Sequence, residues 1–266
     1  MAIDMSSLRK VRGDKPPRLL IYGPEKMGKT SLAAEFPNPV FLQTEDGAPA
    51  DLELDSFGHL DSFTSVLDAM TVLATQEHGF ETMVLDSVSE LERLVFTEVC
   101  TRNKWQTIEQ PGYGKGYAEA DYVWKEFIDG FNFLRTERNM TIVLIGHAVI
   151  SRFDDPETQS YSRYELDLHK RAVAALSREV DAILLVKKDV TIKTEGTARN
   201  PGRARGDGGD TRWIYTEGRP AFAAGNRFSM PERILFEKGK GFGSLAQYLP
   251  INRPAAPVAA AKKKAA

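Results

Sequence analysis

Five short apolar runs punctuate the first two thirds of the chain: RLLIYG (18–23), PVFLQT (39–44), TMVLD (82–86), TIVLIGH (141–147) and AILLVK (182–187). Each has the length of a strand, and most are apolar at nearly every position, as strands covered on both faces must be. Between them, apolar residues recur at helical spacing over 29–36, 61–77, 88–101, 119–137 and 168–179. This alternation predicts an α/β fold, a mainly parallel sheet flanked by helices on both faces. After Lys188 the pattern breaks into polar, Gly- and Arg-rich sequence (TEGTARNPGRARGDGGD), expected to be a mobile loop, and then TRWIYT, expected to be a strand of a β-hairpin. The expected organisation is an amino-terminal extension (1–17), a core (18–188), a basic loop with a β-hairpin extension (189–250) and a disordered Ala/Pro/Lys tail (251–266).

Composition narrows the class. A chain of 266 residues suits one α/β domain with small appendages, and 42% hydrophobic with 27% charged residues is ordinary for a globular protein. Cys100 is the only cysteine, so no intrachain disulfide forms, and no apolar run is long enough to span a bilayer. Both point to a cytoplasmic protein with no membrane partner. The net charge of −2 argues against a strong nucleic-acid binder on average. The average conceals a segregation: thirteen acidic residues and one basic one lie between Phe41 and Glu98, whereas nine basic and five acidic ones lie between Lys187 and Arg227.

The first apolar run ends in GPEKMGKT: Gly23, Pro24, Glu25, Lys26, Met27, Gly28, Lys29 and Thr30, followed by Ser31. Glycines at the two ends of a six-residue interval permit a turn whose backbone N–H groups point inward at phosphate oxygens, and the helix that follows adds its positive end. The lysine then reaches the β- and γ-phosphates and the threonine hydroxyl holds magnesium, so the segment predicts ATP and Mg²⁺ as cofactors. TMVLD ends in Asp86, a carboxylate at a strand's carboxyl end where it can hold the same metal ion. Ser87 follows, so the residue next to Asp86 cannot activate water. Glu45, just past the second run in VFLQTEDG, is the candidate base, with Asp46 its nearest competitor and Glu90 a further one.

VFLQTEDGAPADL, MVLDSVSEL and TIVLIGHAVIS together resemble RecA-type recombinases in order and spacing. The resemblance implies that Glu45 is the catalytic glutamate, that Asp86 lies on the metal strand, and that His147 stands where the family places its γ-phosphate sensor, usually an amide residue. The acid that commonly follows the metal aspartate in AAA+ ATPases is absent. Over residues 7–250 the chain also resembles short phage-encoded ATP-binding proteins, including RecA-like single-strand annealing proteins of the Sak type. That implies a DNA-stimulated ATPase acting in annealing or strand exchange, a homo-oligomer in ring or filament form, and single-stranded DNA and a single-strand DNA-binding protein as partners.

In such a core two loops face the bound strand. One holds Arg102, Lys104, Trp105, Tyr113, Lys115 and Tyr117, the other Arg152, Phe153, Tyr161, Arg163 and Tyr164. Cations follow phosphates while aromatic faces stack bases. Hydrolysis in this family usually draws a cation from the next subunit, for which Arg212 and Arg227 are the candidates. The alternative reading is a nucleotide-switched oligomeric assembly protein that does not bind DNA.

Overall fold

The computed structural model describes Asp4 and residues 13–47, 49–155, 157, 159–189, 191–194, 204–207 and 209–251. The amino-terminal extension, the basic loop and the tail fall largely or wholly outside these residues. In chain order the elements are β1 (Arg18–Gly23), α1 (Lys29–Ala34), β2 (Pro39–Gln43), β3 (Ser56–His59), α2 (Phe63–Thr75), β4 (Thr82–Asp86), α3 (Val88–Asn103), α4 (Lys115–Glu137), β5 (Thr141–Phe153), β6 (Tyr161–Leu166), α5 (Lys170–Glu179), β7 (Ala182–Lys188), β8 (Thr191–Thr194), β9 (Ala204–Asp207), β10 (Arg212–Tyr215), β11 (Gly225–Asn226), β12 (Arg233–Phe236) and α6 (Gly241–Ala246).

The main sheet runs β12-β10-β7-β1-β5-β4-β2-β3. The six strands from β7 to β3 are parallel, so the loops at their carboxyl ends gather on one side of the molecule. This is an α/β sheet of the P-loop NTPase kind. Its two faces are covered unequally. Leu20, Tyr22, Leu42, Leu85 and Leu144 pack against α2, α3, α4 and α5, including the fully buried Phe63, Val95, Phe127 and Leu176. The opposite face, with Leu19, Ile21, Val84 and Val143, packs against Leu32 of α1 and Leu245 of α6. Residues of both faces alternate along each strand, which is why the central runs are continuously apolar.

Three departures from the periodicity have simple causes. β3 carries four exposed residues, SFGH, at the sheet edge, so no hydrophobic signal marks it. β5 runs six residues past His147 and turns into an antiparallel ribbon with β6, where the expected second loop lay. The Trp213 strand does more than form a hairpin: β10 and β12 extend the main sheet beside β7, and β11 pairs with the amino end of β7. α3 starts at its expected place because Ser87 caps it, its side chain accepting from the Glu90 amide at 3.3 Å.

Candidate functional site

β1 delivers the glycine turn to the carboxyl side of the sheet. A Cβ on Gly23 would sit 2.2 Å from the Val186 carbonyl oxygen of β7, so the strand end passes where no side chain fits. Gly28 holds φ 91°, a left-handed conformation suited to glycine, and turns the chain into α1. Lys29 follows and is 6% exposed; its ammonium donates to the carbonyls of Gly23 and Pro24, both at 2.9 Å. Burial pushes its pKa down, against the opposing pull of Asp86 and Glu45.

Thr30 Oγ1 donates to Asp86 Oδ2 at 2.7 Å, which joins the turn to the end of β4. Asp86 is 8% exposed. Burial drives its carboxyl up to about 6, the Glu45 charge pushes in the same direction, and the Thr30 hydroxyl opposes. The Asp86–Ser87 peptide is cis. Strand pairing explains how Glu45 arrives beside it. β2 lies next to β4 with Gln43 opposite Asp86, and the Thr44 amide continues the ladder to the Asp86 carbonyl at 2.9 Å. The Thr44 hydroxyl then accepts from the Ser87 amide and donates to the Ser87 carbonyl, each at 2.9 Å. That pair of hydrogen bonds fixes the chain one residue before Glu45.

His147 comes from β5, opposite Gly23 of β1. Its Nε2 lies 3.1 and 3.0 Å from the two oxygens of Glu45. This hydrogen bond holds the Glu45 carboxyl below its ordinary value and lifts the imidazole above its own, in each case against burial. The His147 amide donates to Ser89 Oγ at 3.1 Å, and its Nδ1 is buried with no partner among the described residues. Lys29, Thr30, Glu45, Asp86 and His147 line one cleft of about 420 Å³. Of the competing bases, Asp46 is exposed and Glu90 pairs with Arg93 at 3.2 Å; neither lines the cleft.

The donors fit the two cofactors. The lysine now bonded to its own loop carbonyls can exchange them for phosphate oxygens, and the half-buried Thr30–Asp86 oxygen pair offers the few hard ligands that magnesium takes from a protein when phosphates and waters supply the rest. The described residues contain no cluster of three or more His, Cys, Asp or Glu able to hold a metal ion alone.

A sequence model of the family described as AAA domain matches residues 15–228. The chain belongs to that family. Comparison with curated proteins finds no match. As an AAA-type P-loop ATPase it binds and hydrolyses a nucleotide. Among the described residues of this AAA domain, no helix is long and apolar enough to cross a membrane.

The two arginines expected to serve a neighbouring subunit occupy different places. Arg212 starts β10 and turns toward its own chain's loop, where Nη1 lies 3.5 Å from the Met27 carbonyl; it lines the cleft. Arg227 follows β11 at the other end of the sheet and contacts Asp181 at 3.3 Å. Arg212 is half-buried beside its own loop, whereas the Arg227 side chain stays largely exposed; the strands that carry or precede them, β10 and β11, both pair with β7. Lys238, which carried no motif signal, also lines the cleft and pairs with Asp51.

The aromatic and basic candidates are distributed as follows. Arg102 lies within α3 and pairs with Glu98 at 2.7 Å and with Glu126. Lys104 is the exposed cap of α3, Trp105 packs half-buried on the core, and Tyr113 is fully exposed. Lys115 opens α4, and Tyr117 stacks on His169 at 4.2 Å, which brings the start of α4 to the start of α5. Arg152 pairs with Asp154 at 3.1 Å. Arg163 stacks over Phe153 at 3.6 Å and pairs with Glu165 at 2.6 Å; Phe153 also meets Tyr161 at 5.6 Å. Tyr164 is half-buried, its amide bonded to the Ala221 carbonyl at 2.8 Å. The ribbon that carries this second set continues directly from His147.

Proposed function

We propose that this AAA domain is a magnesium-dependent ATPase in which Glu45 orients and deprotonates the attacking water. The convergence of Lys29, Thr30, Asp86, Glu45 and His147 on one cleft carries the reading. Lys29 and the loop amides of residues 25–30 bind the phosphates, while Thr30 and Asp86 hold the metal ion. Magnesium, when bound, supplies charge neutralisation on the phosphoryl oxygens. Glu45 stands on the far side of Asp86 from the loop strand, and in the nucleotide-free chain His147 keeps its carboxylate ionised, so that ATP meets a charged base. His147 reports on the γ-phosphate by exchanging its Glu45 bond for a phosphate oxygen. The decisive test is steady-state hydrolysis of magnesium ATP by wild type and Lys29→Ala. Turnover should fall by about 10²–10³-fold or more in the variant, with an unchanged melting midpoint; equal turnover sinks the reading.

The partner in this proposal is single-stranded DNA, and the process is annealing or strand exchange in phage recombination or repair by an oligomer in the host cytoplasm. Support comes from the β5–β6 ribbon, which starts at His147 and presents Arg152, Phe153, Tyr161 and Arg163. One observation favours the rival, a nucleotide-switched assembly protein that does not bind DNA: Arg102, Arg152 and Arg163 are already paired with carboxylates of the same chain. Gel shift with labelled oligonucleotides, in the presence of ATP and at low salt, separates the two. Binding that weakens steeply with added salt selects DNA, and no shift at any salt selects the assembly protein.

A further inference from the structure

The half-buried Arg212 lines the cleft and has no part in the mechanism above. It is held by strand pairing on both sides, opposite Lys188 of β7 and Phe236 of β12, so its backbone belongs to the sheet and not to a free loop. The Phe236 ring and the Arg212 guanidinium both reach Gly28: a Cβ there would stand 3.1 Å from Arg212 Nη1 and 3.1 Å from Phe236 Cε1. The contact with the Met27 carbonyl, at 3.5 Å, is long for a hydrogen bond. Among the described residues Arg212 forms no ion pair, whereas Arg227, its former equal as a candidate, is committed to Asp181. A guanidinium has five N–H donors and a planar fork matched to phosphate. Here that fork lies beside the loop that gathers phosphate oxygens, in the same cleft as Lys29.

We infer that Arg212 binds the phosphate chain of the nucleotide held by its own chain, so that the second cation of the site comes from within and not from a neighbouring subunit. The inference rests on the ATPase reading and adds to it the source of the charge. β10 is the device that makes this possible, because a strand running antiparallel to β7 starts level with the loop.

Three measurements test it. Titration with the slowly hydrolysed analogue ATPγS and magnesium should show affinity about ten- to a hundredfold weaker for Arg212→Ala than for wild type, partly recovered by Arg212→Lys. Affinity for adenosine, which has no phosphate, should not move. Unchanged ATPγS affinity, or an equal loss for adenosine, overturns the inference. Should Arg212→Ala fail to fold by circular dichroism, Arg212→Lys and Arg212→Gln carry the same comparison. Mixing Lys29→Ala with Arg212→Ala chains supplies the third arm. A cation acting within its own chain gives no recovery of turnover, while recovery assigns Arg212 to the neighbour and refutes the proposal. A wild type that binds no nucleotide refutes the ATPase reading itself; a binding wild type with an unaffected Arg212→Ala refutes only the role of Arg212.

Discussion

The central sheet carries a buried polar cluster at each end, and the two are built on opposite principles. At the amino end Arg18 is enclosed: its guanidinium and amide reach Asp181 at 3.0–3.3 Å, Asn132 at 2.8 Å and Glu179 at 3.1 Å. Arg135 adds a contact to Asp181 at 3.2 Å. Burial alone would raise the Asp181 carboxyl, but the Arg18 hydrogen bonds and the charges of Arg18 and Arg135 outweigh it and hold the pKa low. Every arginine there contacts a carboxylate of the same chain, three of them sharing Asp181 and one also reaching Glu179. At the carboxyl end Lys29 is turned back on neutral carbonyls, Asp86 is pushed up to about 6, and His147 Nδ1 has no described partner. A cluster that satisfies itself has no use for a ligand; one that does not is completed by a ligand bringing both phosphate and cation. The same sheet thus separates a structural clamp from a reactive site by its full strand length.

The largest difference between the ends should appear when each loses one carboxylate. Glu45→Gln keeps the shape and a hydrogen-bond acceptor for His147 but removes the base. Turnover should fall by about 10²–10⁴-fold while ATPγS affinity and the unfolding midpoint stay near wild type. Turnover close to wild type would move the base to another carboxylate, and then the carboxyl-end cluster would not be organised around water as argued.

Asp181→Ala should do the reverse. It leaves Arg18 buried beside Arg135 without its principal counter-ion, which costs about 3–5 kcal/mol of stability, read as a shift of the urea midpoint. A folded remnant of that variant should still bind nucleotide with normal affinity. Arg227→Ala, which removes only the most exposed member of the same cluster, should cost under about 1 kcal/mol. Equal losses for Asp181→Ala and Arg227→Ala would mean that the cluster is solvated and no clamp at all.

How much of this was written in the sequence depends on how local the determinant is. GPEKMGKT is contiguous, and TMVLD and VFLQTE each place one acid at the end of an apolar run, so these positions could be read one at a time. The neighbouring of β2 and β4, which brings Glu45 to Asp86, is in keeping with the RecA resemblance that made Glu45 the catalytic glutamate. The Glu45–His147 hydrogen bond did not, since nothing near either residue names the other across 102 positions. Arg212 was visible as a late arginine, but its orientation depends on β10 pairing with β7, a contact between segments of unlike pattern. Lys238 reaches the cleft through a turn after β12 and has no motif at all. The second aromatic-basic segment read as a loop because its polar residues show no strand alternation; Arg163 over Phe153, a cross-ribbon contact, gives it order that hydrophobicity does not record.

The smallest expected effect is also the sharpest probe of the unfinished cluster. The Glu45–His147 contact lifts the imidazole pKa and lowers that of the carboxyl. For the histidine, stabilisation is complete below its unfolded value and disappears as pH rises through the higher folded one. For the glutamate it is present above the unfolded value and disappears as pH falls through the lower folded one. The pair therefore stabilises the nucleotide-free chain most between roughly pH 4.5 and 6.5, and by no more than about 1 kcal/mol, given that both side chains keep some contact with water. Asp86 at about 6 and Glu92 at about 7, both raised by burial, lose stability in the same direction as pH rises, so one melting curve cannot isolate the pair. The difference between wild type and His147→Gln can, because the glutamine keeps a donor without a titrating charge. Melting midpoints from pH 5 to 8 should converge as pH rises, the wild type losing its advantage through the histidine range. If the two profiles stay parallel, His147 carries no charge in the folded chain, and Glu45 is held by a neutral donor at every pH.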